Sequence, residues 1–506
     1  LTVYKGKNIY SHKPVIKMIV DIGEYYDTPS KDIEGFNEKL LKALPGLREH
    51  CCSLGYKGGF LERLEKGTYL AHIFEHSVIE LQNMLGFDVK FGKSRLLKEP
   101  SIYNVIYQHK CSITGVECGF TALKIINGIL NNENFDVNEM IDNLKTIAAE
   151  ASLGPSTSAI IQEAKKRGIP VTYLDDSGLI QLGYGKNRRI MECTITDRAT
   201  CISVDIASNK KLTKNILYEN NIPVPYGKVV YSEGSAISAA ESMGMPVVLK
   251  PLDGNQGKGV GLKLKNIDEI KAAYSEARKF SNAVLVEKYI EGRDYRILVV
   301  NGKISAVSER IPPFVVGDGV NTISKLVEIE NMNPLRGCGH EKPLTKIKLD
   351  GVSISVLEKK GLTPDSIPKK GERIFLRENG NLSTGGKAID CTDIIHPDNA
   401  KIAIDAANVI GLDIAGIDMI APDISKSILE TGGAIVEVNA APGIRMHLYP
   451  YMGKPRNVAK DIIDMLYPAG KDFIIPSISV TGTNGKTTTV RLISHILSMQ
   501  GLKVGM

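Results

Sequence analysis

The sequence predicts a multidomain protein of mixed α/β and α+β class. An N-terminal α+β domain is expected over residues 1–165, a larger α/β domain over 166–468, and the beginning of a P-loop α/β domain over 469–506. Three observations lead there. At 506 residues the chain has room for roughly two to four separate cores. Apolar runs suited to strands alternate with helical patterns from residue 170 to residue 468. A strand-like run, a glycine loop and a helical pattern then open after residue 471.

The first segment mixes short strands with helices and closes on helical stretches over 138–150 and 156–166. With 43% hydrophobic and 24% charged residues the composition is that of an ordinary globular chain. A net charge of +6 is too mild for a nucleic-acid partner and suits an acidic substrate. The cysteines include no Cys-x-x-Cys pair, and adjacent Cys51 and Cys52 bridge poorly, so a reduced, cytoplasmic setting is expected. No uninterrupted apolar run reaches the roughly 18 residues of a membrane span, and no signal peptide is evident. The chain begins at Leu1, so N-terminal residues are expected to be missing. Residues 310–373, dense in Gly, Pro and Asp, read as a loop-rich insertion over an active site.

In the second segment, PVVLKPLDGNQGKGV gives a strand ending at Lys250 and a loop containing Gly257 and Gly259. Glycines let backbone N–H groups close on phosphate oxygens, and Lys250 adds a charge. Any glycine-rich hairpin looks similar, so this alone is weak. VEKYIEGRDYR supplies backbone edges and an apolar wall for a base at Glu287, Lys288, Tyr289 and Ile290, and a carboxylate at Asp294. In GIDMI and AIVEVNAAPG, Asp418 lies on one strand, and Glu437 and Asn439 share a face of the next. Such oxygens suit Mg²⁺. The bland alternative is charge at solvent-facing strand ends. It fits poorly because both runs are otherwise apolar, and a buried carboxylate needs a counter-charge, for which metal is the natural one.

These pieces, in this order, resemble the ATP-grasp superfamily over roughly residues 170–468. The resemblance implies that Lys250 binds ATP phosphates, Glu287, Lys288, Tyr289 and Ile290 form the adenine hinge, Asp294 meets the ribose, and Asp418, Glu437 and Asn439 hold Mg²⁺. Lys210 matches the family's earlier phosphate-contacting lysine, with Lys211 and Lys214 in the same run. Arginine suits an acyl phosphate, and Arg310 and Arg296 are the candidates.

Three further strings, ERIPPFVVGDGVNTI, RGCGHEKPLTKI and NLSTGGKAID, resemble the cyanophycin synthetase family. That resemblance implies L-aspartate addition to the C-terminal carboxylate of a poly-aspartate primer, then L-arginine attachment by a Mur-ligase-like domain, in a homo-oligomer. Ser383, Thr384, Gly385 and Gly386 have the donors to hold an acceptor carboxylate, although an ordinary Ser/Gly turn looks the same. SVTGTNGKTTT matches the short P-loop of Mur ligases through Gly482, Asn484, Gly485, Lys486, Thr487 and Thr488. Lys486 would reach the β/γ-phosphates and Thr487 would ligate Mg²⁺ at a helix N-terminus. The chain ends soon after, so the second activity is expected to be incomplete in it.

Near the N-terminus, His72, Glu75 and His76 have His-x-x-Glu-His spacing. Residues four apart share a helix face, so the histidines suit Zn²⁺ with Glu75 as base on a bound water. The spacing resembles that of the inverzincin proteases, which implies a further glutamate from a distant helix, here Glu150, and a peptidase activity that would cut the polymer into primers. A five-residue motif is also often a helix-bridging pair. Two other readings compete: a glutathione-type bifunctional ligase, against which the later P-loop argues, and a non-catalytic scaffold, against which the intact Lys250, Asp418, Glu437 and Asn439 argue.

Overall fold

From Ile16 to Asp21, buried Ile16, Met18 and Val20 alternate with the more exposed Lys17, Ile19 and Asp21, the period of a half-buried strand. This strand lies inside a four-stranded antiparallel sheet in the order Thr2–Tyr4, Val15–Asp21, Ile102–Gln108, Gly92–Lys98. Helices Leu70–Met84 and Ser112–Leu130 pack on it around one core that includes Ile16, Phe36, Phe60, Phe74 and Ile125. Ser112–Leu130 is the one described helix long and apolar enough to cross a membrane, and half of it is buried within the fold. The computed structural model describes residues 1–506 except 152, 176–177, 253–258 and 338–341, and all described side chains except those of Ser53 and Glu150.

The second body is centred on a five-stranded antiparallel sheet ordered Lys387–Asp390, Lys303–Ile311, Arg293–Val300, Ile414–Ala421, Ala434–Asn439. Its central strand is covered on both faces. Tyr295, Ile297 and Val299 meet helix Pro397–Ile410, while Leu298 and Val300 meet helices Pro155–Lys166 and Val458–Leu466. A smaller antiparallel sheet runs Gly261–Leu264, Val247–Pro251, Val284–Lys288, Gly227–Val230, with helices Glu233–Met243 and Ile267–Arg278 on one face.

Two expectations change. Residues 314–376 are rich in loops, as expected, but also carry regular elements and a core of their own. They hold helices Ile323–Asn331 and Gly351–Glu358, the strand pair Phe314–Val316 with Arg373–Phe375, and a core of Val315, Ile323, Leu326, Val327, Ile347, Leu357, Ile374 and Leu376. The strand expected over 474–481 does not form, because among the described residues nothing pairs with its backbone as a ladder. Helix Lys486–Met499 does form and buries no residue.

Candidate functional site

Period-2 alternation sets the first half of the site. Val247 and Leu249 face the small sheet's core, as do Val284 and Val286, so Lys250 and Glu287 emerge together on the opposite face. Lys250 Nζ lies 2.9 Å from Glu287 Oε2, and Lys214, from helix Lys210–Glu219, pairs with Oε1 of the same carboxylate. Glu437, of the large sheet, lines the same small cleft with Lys210, Thr213 and Lys214. Burial pushes the Lys250 ammonium down to about 8, with Glu437 opposing and Lys210 adding to the fall. Burial, then Lys250 and Lys210, push Lys214 down to about 6. Of the lysines in the ASNKKLTK run, Lys214 is the one placed on Glu287. Lys210, the first residue of that helix, lies on the same cleft.

Strand pairing builds the second half. Asp418 stands opposite Glu437 on one side and opposite Arg296 on the other, and Gly416 stands opposite Asn439. Arg310 is opposite Asp294. Arg296 grips Asp418 through Nε and through Nη2, the latter 3.3 Å from Oδ2. Arg310 Nη2 lies 3.0 Å from Asp418 Oδ2 and 2.6 Å from Asp294 Oδ1. Two guanidiniums therefore supply a counter-charge to buried Asp418. Burial alone would raise this carboxyl, and Arg296 and Arg310 outweigh it, holding Asp418 below the usual carboxylate range. Asp294, expected at the ribose, is engaged by Arg310; burial raises its pKa and Arg310 opposes. Arg310 Nε is buried without a hydrogen-bond partner. Gly416 is needed for the close approach, since a Cβ there would come within 3.0 Å of Arg296 Nη1 and 2.6 Å of Pro442 Cβ. The sequence reading missed His447, which is buried beneath this cluster with Nδ1 2.8 Å from Ser308 Oγ and Nε2 unpartnered. Its only signal was its place just after the Pro442–Gly443 turn.

The remaining expected contacts divide. Lys288 turns its ammonium onto the Gly244 and Met243 carbonyls, 2.8 and 3.2 Å away, capping helix Glu233–Met243, while Lys263 stacks over Tyr289. The backbone N–H groups of Lys288 and Tyr289 donate to Tyr226 and Pro246, and Ile290 is half-buried beside them. Gly259 takes a left-handed φ of +68°, as a tight loop requires, and Gly257 lies outside the described residues. In the loop at Ser383, the Thr384 hydroxyl and the N–H groups of Ser383, Thr384 and Gly386 all donate to Asn381, and the N–H of Gly385 donates to Leu382. The Thr384 hydroxyl and these backbone N–H groups are thus spent inside the turn. What adjoins it is cationic: fully buried Arg336 donates to the Gly385 carbonyl and, at 2.9 Å, to Glu330, which Lys387 also reaches at 3.1 Å. At the second nucleotide motif, Gly482 and Gly485 have positive φ, Lys486 Nζ turns back onto the Gly482 and Thr483 carbonyls, and Asn484, Thr487 and Thr488 are exposed.

In the N-terminal body, His72 and His76 do come together, with ring centroids 4.9 Å apart. Burial pushes His72 down to about 4 and His76 down to about 2. Glu75 does not join them. Its carboxyl meets strand Gly92–Lys98, where Ser94 hydrogen-bonds it and Gly92 leaves room for it. Glu150 closes helix Val137–Glu150, and its side chain lies outside the described residues. Burial pushes Glu75 up to about 7. A raised carboxyl stabilises the fold below its unfolded pKa and loses that contribution as pH rises through the folded value. Stability of this body is expected to fall by about 2–3 kcal/mol between about pH 5 and about pH 8. Denaturation across that range should show the slope, and Glu75→Gln should flatten it.

Two family models match this architecture: a cyanophycin synthase-like N-terminal domain over residues 17–131, and a RimK-like ATP-grasp domain over 207–313 and 374–466. The chain is 46% identical over 508 residues to cyanophycin synthetase of Trichormus variabilis and 45% identical to that of Geminocystis herdmanii, in each case across 99% of this chain. This chain is a homologue of the cyanophycin synthetases built on an ATP-grasp domain. It spans 56% and 58% of those relatives' lengths. The glutathione biosynthesis bifunctional protein GshAB of Clostridium perfringens is 37% identical over 62% of this chain. A bifunctional glutathione synthetase from Pasteurella multocida shares the fold, with a TM-score of 0.51 at 24% identity over 77% of this chain and 69% of that one. The gap in the ATP-grasp match falls on the insertion that carries its own core.

Proposed function

We propose that the chain is an ATP-dependent amide-forming ligase that extends a poly-aspartate backbone with L-aspartate. The observation that carries this reading is the meeting of Lys250, Lys214 and Glu437 beside Asp418 and its two arginines. In the proposed reaction the acceptor's terminal carboxylate attacks the γ-phosphorus of ATP, ADP leaves, and an acyl phosphate forms. The α-amine of aspartate then attacks the acyl carbon, loses a proton, and expels inorganic phosphate. Lys250 and Lys214 hold phosphate oxygens, and Arg310 and Arg296 cradle the acyl phosphate, where the unpartnered Nε of Arg310 is a ready donor. The residues fit Mg²⁺ as well. Asp418 and Glu437 face each other across the strand pair, and Asn439 uses Nδ2 on the Gly416 carbonyl at 3.2 Å, leaving its Oδ1 to a cation. When bound, Mg²⁺ supplies charge neutralisation on the nucleotide phosphates.

Similarity along 99% of the chain to cyanophycin synthetases, against 62% to the glutathione protein, favours aspartate over a glutathione-type substrate. The GTNGKTTT run supports a second nucleotide site serving L-arginine attachment, and self-association and cytoplasmic residence are expected on the same grounds. The test is release of ADP and inorganic phosphate that requires both L-aspartate and a short poly-aspartate primer. AMP and pyrophosphate as products would overturn the acyl-phosphate reading, and turnover indifferent to aspartate would overturn the substrate.

A further inference from the structure

One buried cation of the ATP-grasp body lacks a counter-charge among the described residues. Helix Arg445–Leu448 begins just after the Pro442–Gly443 turn and packs on strands Lys303–Ile311 and Lys387–Asp390, the first of which carries Arg310. Arg445 is only 6% exposed. Its Nη2 donates to Thr345 Oγ1 at 3.2 Å and its Nη1 to the Lys342 carbonyl at 3.4 Å, and both acceptors are neutral. A guanidinium carries more N–H donors than these two bonds use. Burial lowers the pKa of Arg445, and among the described residues no carboxylate opposes the fall.

The neighbouring cations are matched. Lys387 Nζ lies 3.1 Å from Glu330 Oε1 and stands over the rings of Phe314 and Tyr451, 4.2 and 4.3 Å from their centroids. Arg336 places Nη2 and Nε on the same Oε1, at 2.9 and 3.3 Å. Arg336 also donates to the Thr345 carbonyl, so two guanidiniums converge on one residue, Arg336 on its carbonyl and Arg445 on its hydroxyl. One carboxylate serves Lys387 and Arg336, and Arg445 is left over. A desolvated guanidinium is expensive until an anion meets it.

This cation lies beside the residues of the reaction. The Ser383 turn stands between Arg336 and Arg310: a Cβ on Gly380 would fall 2.8 Å from the Arg310 carbonyl, and the Gly385 carbonyl accepts from Arg336 Nη1 at 3.3 Å. His447, on the same short helix as Arg445, bonds Ser308, which stands opposite Arg296 in the sheet.

We propose that Arg445 is a specificity-determining residue that receives a substrate carboxylate other than the one being phosphorylated, with Thr345 fixing the plane of its guanidinium. The proposal rests on the ligase reading above. A planar guanidinium meets a carboxylate through two parallel N–H···O bonds. Two sources bring such a group: the side chain of the incoming L-aspartate, and an acidic side chain of the primer. Either supplies the missing anion, whereas a neutral amide in its place leaves the cation buried and unmatched.

Steady-state ADP release, with L-aspartate and poly-aspartate primer varied separately, tests this. Arg445→Gln is expected to raise KM for at least one of the two by about 10–100-fold, as loss of a charge-assisted contact does, with KM for ATP as in the wild type. A rise for L-aspartate assigns the carboxylate to the incoming residue, and a rise for the primer assigns it to the acceptor. Arg445→Lys keeps the charge without the fork and should fall between. Thr345→Val leaves the guanidinium in place but loosens it. It should raise the same KM by a smaller factor, and it carries the test should Arg445→Gln not fold. Unchanged KM for both substrates would overturn the proposal. So would a loss confined to kcat, or an equal loss of kcat/KM for ATP, aspartate and primer, either of which marks a purely structural role. Whether wild-type ADP release requires L-aspartate at all tests the ligase reading, so the two fail separately.

Discussion

Asp418→Ala is expected to cost about 3–5 kcal/mol of folding stability, because it removes one partner of a buried ionic cluster and leaves the others charged. Arg296 is buried and has Asp418 as its carboxylate partner in the structure, while Arg310 would keep only Asp294. Desolvated guanidinium without a counter-ion is the expensive product. Chemical denaturation of the two proteins would measure it. The sign with pH follows from the depressed carboxyl: its contribution is present above the unfolded carboxylate pKa and disappears as pH falls through the lower folded value. The stability gap between wild type and Asp418→Ala should therefore narrow in acid. A difference under about 1 kcal/mol at neutral pH would mean that the arginines find water or another acceptor.

Lys250→Met is expected to lower kcat/KM for ATP by about 10²–10³-fold, the usual loss when one charge is taken from a preorganised phosphoryl-transfer site. Lys250→Arg separates charge from shape. Because burial brings the Lys250 ammonium down to about 8, the ATP-free protein loses that proton as pH rises through this value. ATP affinity should then weaken by about tenfold per pH unit above it. An arginine stays charged, so Lys250→Arg should bind ATP with little change over the same interval. Titrations of nucleotide binding across that range would show the two slopes, and parallel slopes would remove Lys250 from phosphate contact.

Much of the cleft was legible because strand alternation is a local property. Lys250 and Glu287 each sit one step from a core valine or leucine, and Glu437 and Asn439 flank Val438, so their shared faces follow from spacing alone. What strands do not announce is their neighbours. Arg296 lies 122 residues before Asp418 in sequence, and only the register of Arg293–Val300 against Ile414–Ala421 makes them partners. The choice between Lys210 and Lys214 was similarly closed to spacing, since residues four apart share a helix face and the outcome depends on reach. In the His-x-x-Glu-His motif the direction each side chain takes was equally hard to read. His76 and Glu75 are adjacent, about 100° apart around the helix, and Leu70–Met84 is buried nearly all round, so no exposed face showed which side each would take. The apolar run at 474–481 reads as a strand, yet strand geometry needs a hydrogen-bonding neighbour and finds none among the described residues.

The insertion between Phe314 and Phe375 has a consequence for how such proteins diversify. Its apolar interior closes on itself, while Arg336, Lys387 and Glu330 tie it to the rest of the chain beside the Ser383 turn. A unit that supplies its own cohesion can lengthen, shrink or be exchanged without loosening the strands at its two ends. Length and sequence can thus drift in this appendage while the strands that carry Lys250, Asp418 and Glu437 keep their register.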